Sequence, residues 1–206
     1  MRGCEQVMEL VAAEGVVGIV RAGGPREALS LVESLTGAGL RVVEVAMTTP
    51  GALDVITEAA GTGLIGAGTV RTLAHARDAV AAGAGFLVSP NLDTDVVRYA
   101  AAHDIACIPG CATPTEMITA MAAGAGAVKV FPAHLWSPAA IRGLLQALPD
   151  LPCVPTGGID PATAPDWIAA GAVAVGLGSS LAGTQAHLHV GDLRRRIARA
   201  REPASA

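Results

Sequence analysis

Apolar positions along the chain follow two alternating rhythms. Short runs rich in valine, isoleucine and leucine occur near residues 16–21, 41–46, 64–68, 86–90, 105–109, 126–131, 152–156 and 173–177, and these read as strands. Between them, alanine-rich stretches with helical spacing lie near 25–38, 50–60, 71–82, 93–103, 113–123, 137–148 and 161–170. An initial helix is expected near 4–14 and a last one near 190–201. Thr49-Pro50, Asp93, Thr113-Pro114 and Ser137-Pro138 supply helix-start signals. The joints resemble one another: TGAGL, AAGAGF, AAGAGAV and AAGAVAV each place glycine where a helix stops and a strand soon begins.

Strands separated by helices pair in parallel through crossover connections. Strands this apolar are covered on both faces. The expected fold class is therefore α/β, a single (β/α)8 TIM barrel with an N-terminal helix in residues 1–14. One domain spans 1–206, with 202–206 as a disordered tail. An open doubly wound sheet is the rival, and the regular alternation favours the barrel. In a barrel, chemistry sits at the C-terminal strand ends. The polar residues there are Arg21, Glu44, Thr48, Thr69, Ser89, Lys129, Thr156 and Ser179.

Composition then sharpens the choice. The chain is 51% hydrophobic and 16% charged, with a net charge of -4 and only five aromatic residues (Phe86, Tyr99, Phe131, Trp136, Trp167). That balance offers neither the field nor the stacking surface that nucleic acid requires, and no nucleic-acid partner is expected. The arginines from Arg194 to Arg201 read as a solvated helix face. No apolar segment reaches the roughly 20 residues of a membrane span, and MRGCEQVMEL has acids where a leader would be apolar. Cys4, Cys107, Cys111 and Cys153 form no CxxC pair, so reduced thiols in a cytoplasmic protein are the expectation.

The 14 basic side chains comprise 13 arginines and one lysine, Lys129, which sits inside the apolar run AVKVFP. A structural ion pair is one reading of it. An amine, unlike a guanidinium, can lose a proton and attack a carbonyl to form a Schiff base, and apolar surroundings favour the free amine. Glu44 stands likewise in the apolar run RVVEVAM. Strands two and six can share one layer of a barrel interior, which lets Glu44 face Lys129 and shuttle protons. A purely structural pair between the two predicts the same contact.

TGGID at 156–160 and GLGSS at 176–180 follow the last two strands, where this fold recurrently binds phosphate on glycine N–H groups. Arg21 can clamp a carboxylate or phosphate or make a rim ion pair, and Thr69 can contact a ligand or cap a helix. GTGLIG at 61–66 runs helix to strand, opposite to a dinucleotide site. Cys107-x3-Cys111 and His187-x-His189 lack partners for zinc, so no metal is expected. His134 reads as a rim histidine.

VVEVAMTTP, GAGTV, VSPNLD, PGCATPTE, KVFPA and PTGGI, in that order along nearly the whole chain, resemble the 2-keto-3-deoxy-6-phosphogluconate (KDPG) aldolases and their hydroxyglutarate (KHG) and 6-phosphogalactonate (KDPGal) relatives. The resemblance implies a class I pyruvate aldolase, commonly trimeric, needing no cofactor beyond a covalent Schiff base on Lys129. It implies Glu44 as the proton shuttle, with Thr69, Pro90 and Phe131 around the pyruvate moiety. Gly157, Gly158, Gly178 and Ser179 match its phosphate segment. Some members carry an arginine where Thr48 stands; the resemblance implies that carboxylate-binding role for Arg21 as a swap of position, with Thr48 still among the expected substrate-binding residues. Thr156 resembles the gluconate-selective enzymes, whereas PGCAT and GLGSS look as much like the galactonate branch. The expected reaction is reversible cleavage of KDPG to pyruvate and glyceraldehyde 3-phosphate. Alternatives are the KDPGal epimer or 4-hydroxy-2-oxoglutarate as main substrate, a barrel isomerase or epimerase, and a non-catalytic phospho-ligand-binding barrel.

Overall fold

The computed structural model describes residues 3–181 and 186–202. Helix α1 (Cys4–Glu14) leads into β1 (Val16–Val20), α2 (Pro25–Gly37), β2 (Val42–Ala46), α3 (Ala52–Glu58) and β3 (Leu64–Gly68). Next come α4 (Leu73–Ala81), β4 (Phe86–Val88), α5 (Thr94–Ala102), β5 (Ala106–Ile108), β6 (Gly110–Cys111) and α6 (Pro114–Ala122). The chain continues through β7 (Lys129–Val130), α7 (Pro138–Ala147), α8 (Ala164–Ala169), β8 (Val175–Leu177) and α9 (Ala186–Ala200). Of the expected tail, residues 203–206 lie outside the described residues.

Six strands make one curled parallel sheet in the order β5-β4-β3-β2-β1-β8, and β6 pairs with β7 in a second. The first strand therefore lies beside the last, with Val17 opposite Gly176. The expected strand at 105–109 is divided at Pro109, which has no N–H to give a ladder. Its carbonyl still accepts from Lys129 N–H at 2.9 Å. The strand expected at 152–156 is not regular: it makes only isolated bridges, Val128 with Cys153 and Thr156 with Gly176. Pro152 and Pro155 remove two donors from this segment, which explains the interruption. Hydrogen bonds nevertheless run through it, from Val154 N–H to the Val128 carbonyl (2.8 Å) and from Gly176 N–H to that of Pro155 (2.9 Å).

Alternation along β2 divides the core. Val43 and Val45 join the layer beneath the helices, with Ile65 and Leu87. Val42 faces the concave side with Val17, Phe86, Val88, Ile108 and Val154, and α1 lays Val7 and Val11 against that inner cluster. Each such fully buried side chain contributes about 1.5–3 kcal/mol. Glu44, two residues after Val42, has the same inward parity.

The C-terminal arginines are not simply a solvated face. Arg194 donates to the Gly39 carbonyl at 3.0 Å and Arg196 to the Pro161 and Ala162 carbonyls at 3.0 and 2.8 Å. Arg201 reaches the Ala12 and Ala13 carbonyls at the end of α1. Arginine forks thus fasten α9 to the rest of the chain, while Arg195 stays on the expected solvated face, 3.3 Å from Asp192. Among the described residues, no helix is long and apolar enough to cross a membrane.

Candidate active site

A cleft of about 380 Å³ is lined at its base by Glu44 and Lys129 and along its walls by Arg21, Thr69, Pro90, Phe131 and Thr156. Gly157, Gly158 and Gly178 complete its outer part. The cleft thus gathers residues from the ends of β1, β2, β3, β4 and β7 and from the turn after Thr156. Lys129 Nζ stands 3.9 Å from Glu44 Oε1, with both side chains almost wholly buried. The centroid of the Phe131 ring lies 5.1 Å from the same Nζ, within the reach at which a π face attracts a cation. A second, far smaller void of about 10 Å³ touches Glu44, Lys129 and Thr156 from below. Removed from water, Glu44 has its carboxyl held above the usual carboxylate range; Lys129 and then Arg21 pull the other way without cancelling the burial.

Arg21 is oriented by two hydroxyls from neighbouring strand ends. It donates to Thr48 Oγ1 and, at 3.3 Å, to Thr69 Oγ1. Thr48 is not among the cleft-lining residues; it stands behind Arg21 and holds it. Thr69 does not cap α4, because Thr72 accepts from His75 N–H in that role at 3.2 Å. Instead Thr69 takes φ 59°, a conformation of modest cost for a non-glycine residue, and this turns the chain at the rim.

After the buried Thr156, Gly157 and Gly158 adopt φ 94° and 81°, geometry that glycine reaches without strain. Space argues the same way: a Cβ on Gly157 would lie 3.3 Å from the Phe131 ring, and one on Gly158 3.0 Å from His134 Cβ. Gly178 precedes a 3-10 turn at Ser179–Leu181. The side chain of Ser179 lies outside the described residues, and Ser180 lines the cleft.

A model of the family described as KDPG and KHG aldolase matches residues 7–198. The chain belongs to this aldolase family. It is 37% identical over 171 residues to the 2-dehydro-3-deoxy-6-phosphogalactonate aldolase of Escherichia coli K12, covering 81% of this chain and 83% of that one. The solved 2-keto-3-deoxy-6-phosphogluconate aldolase of Zymomonas mobilis superposes with a TM-score of 0.80 at 29% identity, covering 100% of both chains. A KDPG aldolase from Legionella pneumophila, holding pyruvate as a covalent carbinolamine intermediate, gives 0.76 at 29% identity over 93% of this chain and 96% of its own.

In this aldolase, sequence reasoning missed Ile19 as a cleft residue; Ile159, Gly176 and Ser180 lie within the TGGID and GLGSS turns but are not singled out there. The parity of Val17 and Arg21 on β1 points to Ile19, and Gly176 packs against the Thr156 side chain. Ser180 was masked by its twin, Ser179. The buried thiols stay outside the cleft, and burial pushes those of Cys107, Cys111 and Cys153 up to about 12, which leaves them chemically quiet.

Proposed function

We propose that this aldolase cleaves 2-dehydro-3-deoxy-6-phosphogluconate reversibly to pyruvate and glyceraldehyde 3-phosphate, with Lys129 as the Schiff-base nucleophile. The observation that carries the reading is the buried Lys129–Glu44 pair, 3.9 Å apart, at the base of a cleft whose outer wall is a double-glycine turn. The Lys129 amine attacks the C2 ketone, and loss of water leaves an iminium, an electron sink next to C3. Glu44, acting through water, takes the proton of the C4 hydroxyl. The C3–C4 bond breaks with its electrons flowing into an enamine, and the aldehyde departs. Protonation at C3 and hydrolysis of the imine release pyruvate and restore the amine. Charge is stabilised where it develops by the iminium and the fixed carboxylate.

Within this reading Arg21, aligned by Thr48 and Thr69, binds the substrate carboxylate with its planar fork. Thr69, Pro90 and Phe131 enclose the pyruvate half. Gly157, Gly158, Gly178 and Ser179 take the phosphate through backbone N–H groups. Thr156 faces the C4 region. An eight-stranded barrel, with the 152–156 segment as its interrupted seventh strand, is supported by the hydrogen bonds on both sides of that segment and by the adjacency of β1 and β8. A cytoplasmic homotrimer fits the free thiols and the exposed apolar side chains of Ile118 and Leu135; sedimentation velocity reads its mass.

The galactonate epimer is a second reading, favoured by the 37% identity to the E. coli phosphogalactonate aldolase. Pyruvate release from the two epimers, assayed side by side, separates them. Faster turnover of the gluconate epimer is expected. Turnover of neither, with phosphate-ligand binding retained, would leave only a binding protein.

A further inference from the structure

Glu44 and Gly68 stand in a relation that their sequence positions hide. In the β2–β3 ladder the residue opposite Glu44 is Gly66, and the residue opposite Ala46 is Gly68. Yet a Cβ on Gly68 would lie 2.7 Å from Glu44 Oε1 and 2.8 Å from its Cδ. The Glu44 side chain therefore leans along the sheet, away from its own cross-strand partner, and lies over a glycine two positions further toward the C-terminal end. Two residues of strand rise roughly 6.6 Å. Gly66 has a different occupant: a Cβ there would run into the Phe86 ring, with Cζ 2.6 Å away. The aromatic ring thus fills the level at which Glu44 starts, and the open space above Gly68 is where its carboxylate goes.

We propose that Gly68 is a positioning residue: its missing side chain lets the Glu44 carboxylate climb to the level of the Lys129 amine. The proposal rests on the proton-transfer role assigned to Glu44 above. A methyl group at position 68 cannot be accommodated by a flexible tip alone, because the carboxyl carbon itself lies within 3.0 Å of it. The carboxylate must retreat, lengthening its reach to the amine and to any proton it exchanges. In the half-reaction with pyruvate, Glu44 removes a proton from the iminium methyl carbon, giving enamine and carboxylic acid, then returns it. A displaced carboxylate slows this exchange while the Lys129 nucleophile stays intact.

The test is a double-mutant cycle between Gly68→Ala and Glu44→Asp, whose shorter side chain no longer reaches the space above residue 68. Exchange of pyruvate methyl protons in D2O, followed by NMR, and thermal midpoints are read on all four proteins. Gly68→Ala is expected to slow exchange about 100-fold in the parent, the loss that a displacement near 1 Å brings, with the pyruvate KM little changed. In the Glu44→Asp background the same methyl should cost less than about threefold, and the midpoint lowered by Gly68→Ala should recover. Equal losses of rate and midpoint in both backgrounds would overturn the proposal, as would unimpaired exchange in Gly68→Ala. If Gly68→Ala fails to fold, restored folding in the Glu44→Asp background supports the contact and failure in both rejects it. Undiminished exchange in Glu44→Gln would reject the proton-transfer role instead, leaving the midpoint cycle to judge the contact by itself.

Discussion

Two glutamates are buried among the described residues, and their surroundings differ. Glu14 ends α1, its side chain wholly shielded, with Arg41 Nε at 2.7 Å and Arg194 Nε at 3.5 Å. Both partners are guanidiniums, which keep their charge under all ordinary conditions. Glu14 thereby ties α1 to the start of β2 and to α9, and its surroundings leave it nothing to react with. Glu44 forms its ion pair with a lysine at 3.9 Å and has an open cleft above it. An amine, unlike a guanidinium, is a side chain type that serves as a Schiff-base nucleophile. Burial of a carboxylate is thus common to a brace and to the proposed reaction centre; the partner's chemistry and the adjoining space set them apart.

Substituting the partner that can react gives the largest expected effect. Lys129→Arg keeps a cation near Glu44 and removes the nucleophile, so KDPG cleavage should fall on the order of 10⁴-fold or more. A retained rate would make Glu44–Lys129 a brace like the other.

Glu44→Gln comes next, with a loss of roughly 10²–10⁴-fold in kcat. The parent's acidic limb should lie above the ordinary carboxylate range, because burial raises the Glu44 pKa and activity needs the ionised form. Activity then falls as pH drops through that raised value, and Glu44→Gln flattens this limb. Stability runs in the opposite sense. A pKa raised in the folded state means that the fold prefers the protonated acid, so Glu44 withdraws stability as pH rises through it. Denaturant titration at pH 7 should accordingly find Glu44→Gln more stable than the parent.

Arg21→Lys keeps the charge and loses the planar fork. About a 10–100-fold rise in KM is expected in steady-state kinetics, with kcat changed less. Glu14→Gln should leave kcat and KM unaltered and lower stability by about 1–3 kcal/mol in denaturant titrations, opposite in sign to Glu44→Gln. Like signs for the two substitutions would erase the distinction between them.

Lys129 and Glu44 were legible in sequence because each interrupts an apolar strand, where a charge without a purpose is costly. The turn at Gly157 and Gly158 was legible because two glycines follow a strand end. The irregular segment at 152–156 was harder to see: its apolar pattern promises a ladder, while Pro152 and Pro155 withhold the donors that a regular one needs. Thr48 sits beside the cleft residues in sequence, but its hydroxyl is spent on Arg21, a pairing across 27 positions that no local pattern encodes. Arg196 and Arg201 looked solvated because their acceptors are backbone carbonyls, which composition cannot display.

The central claim is that Lys129 forms a covalent imine with the keto group. Borohydride reduction with pyruvate, followed by digestion and mass spectrometry, tests it directly, since Lys129 is the only lysine in the chain. A reduced pyruvate adduct on the Lys129 peptide, absent from Lys129→Arg, is the expected result. An unmodified Lys129 peptide under conditions where the protein turns over KDPG would contradict the account.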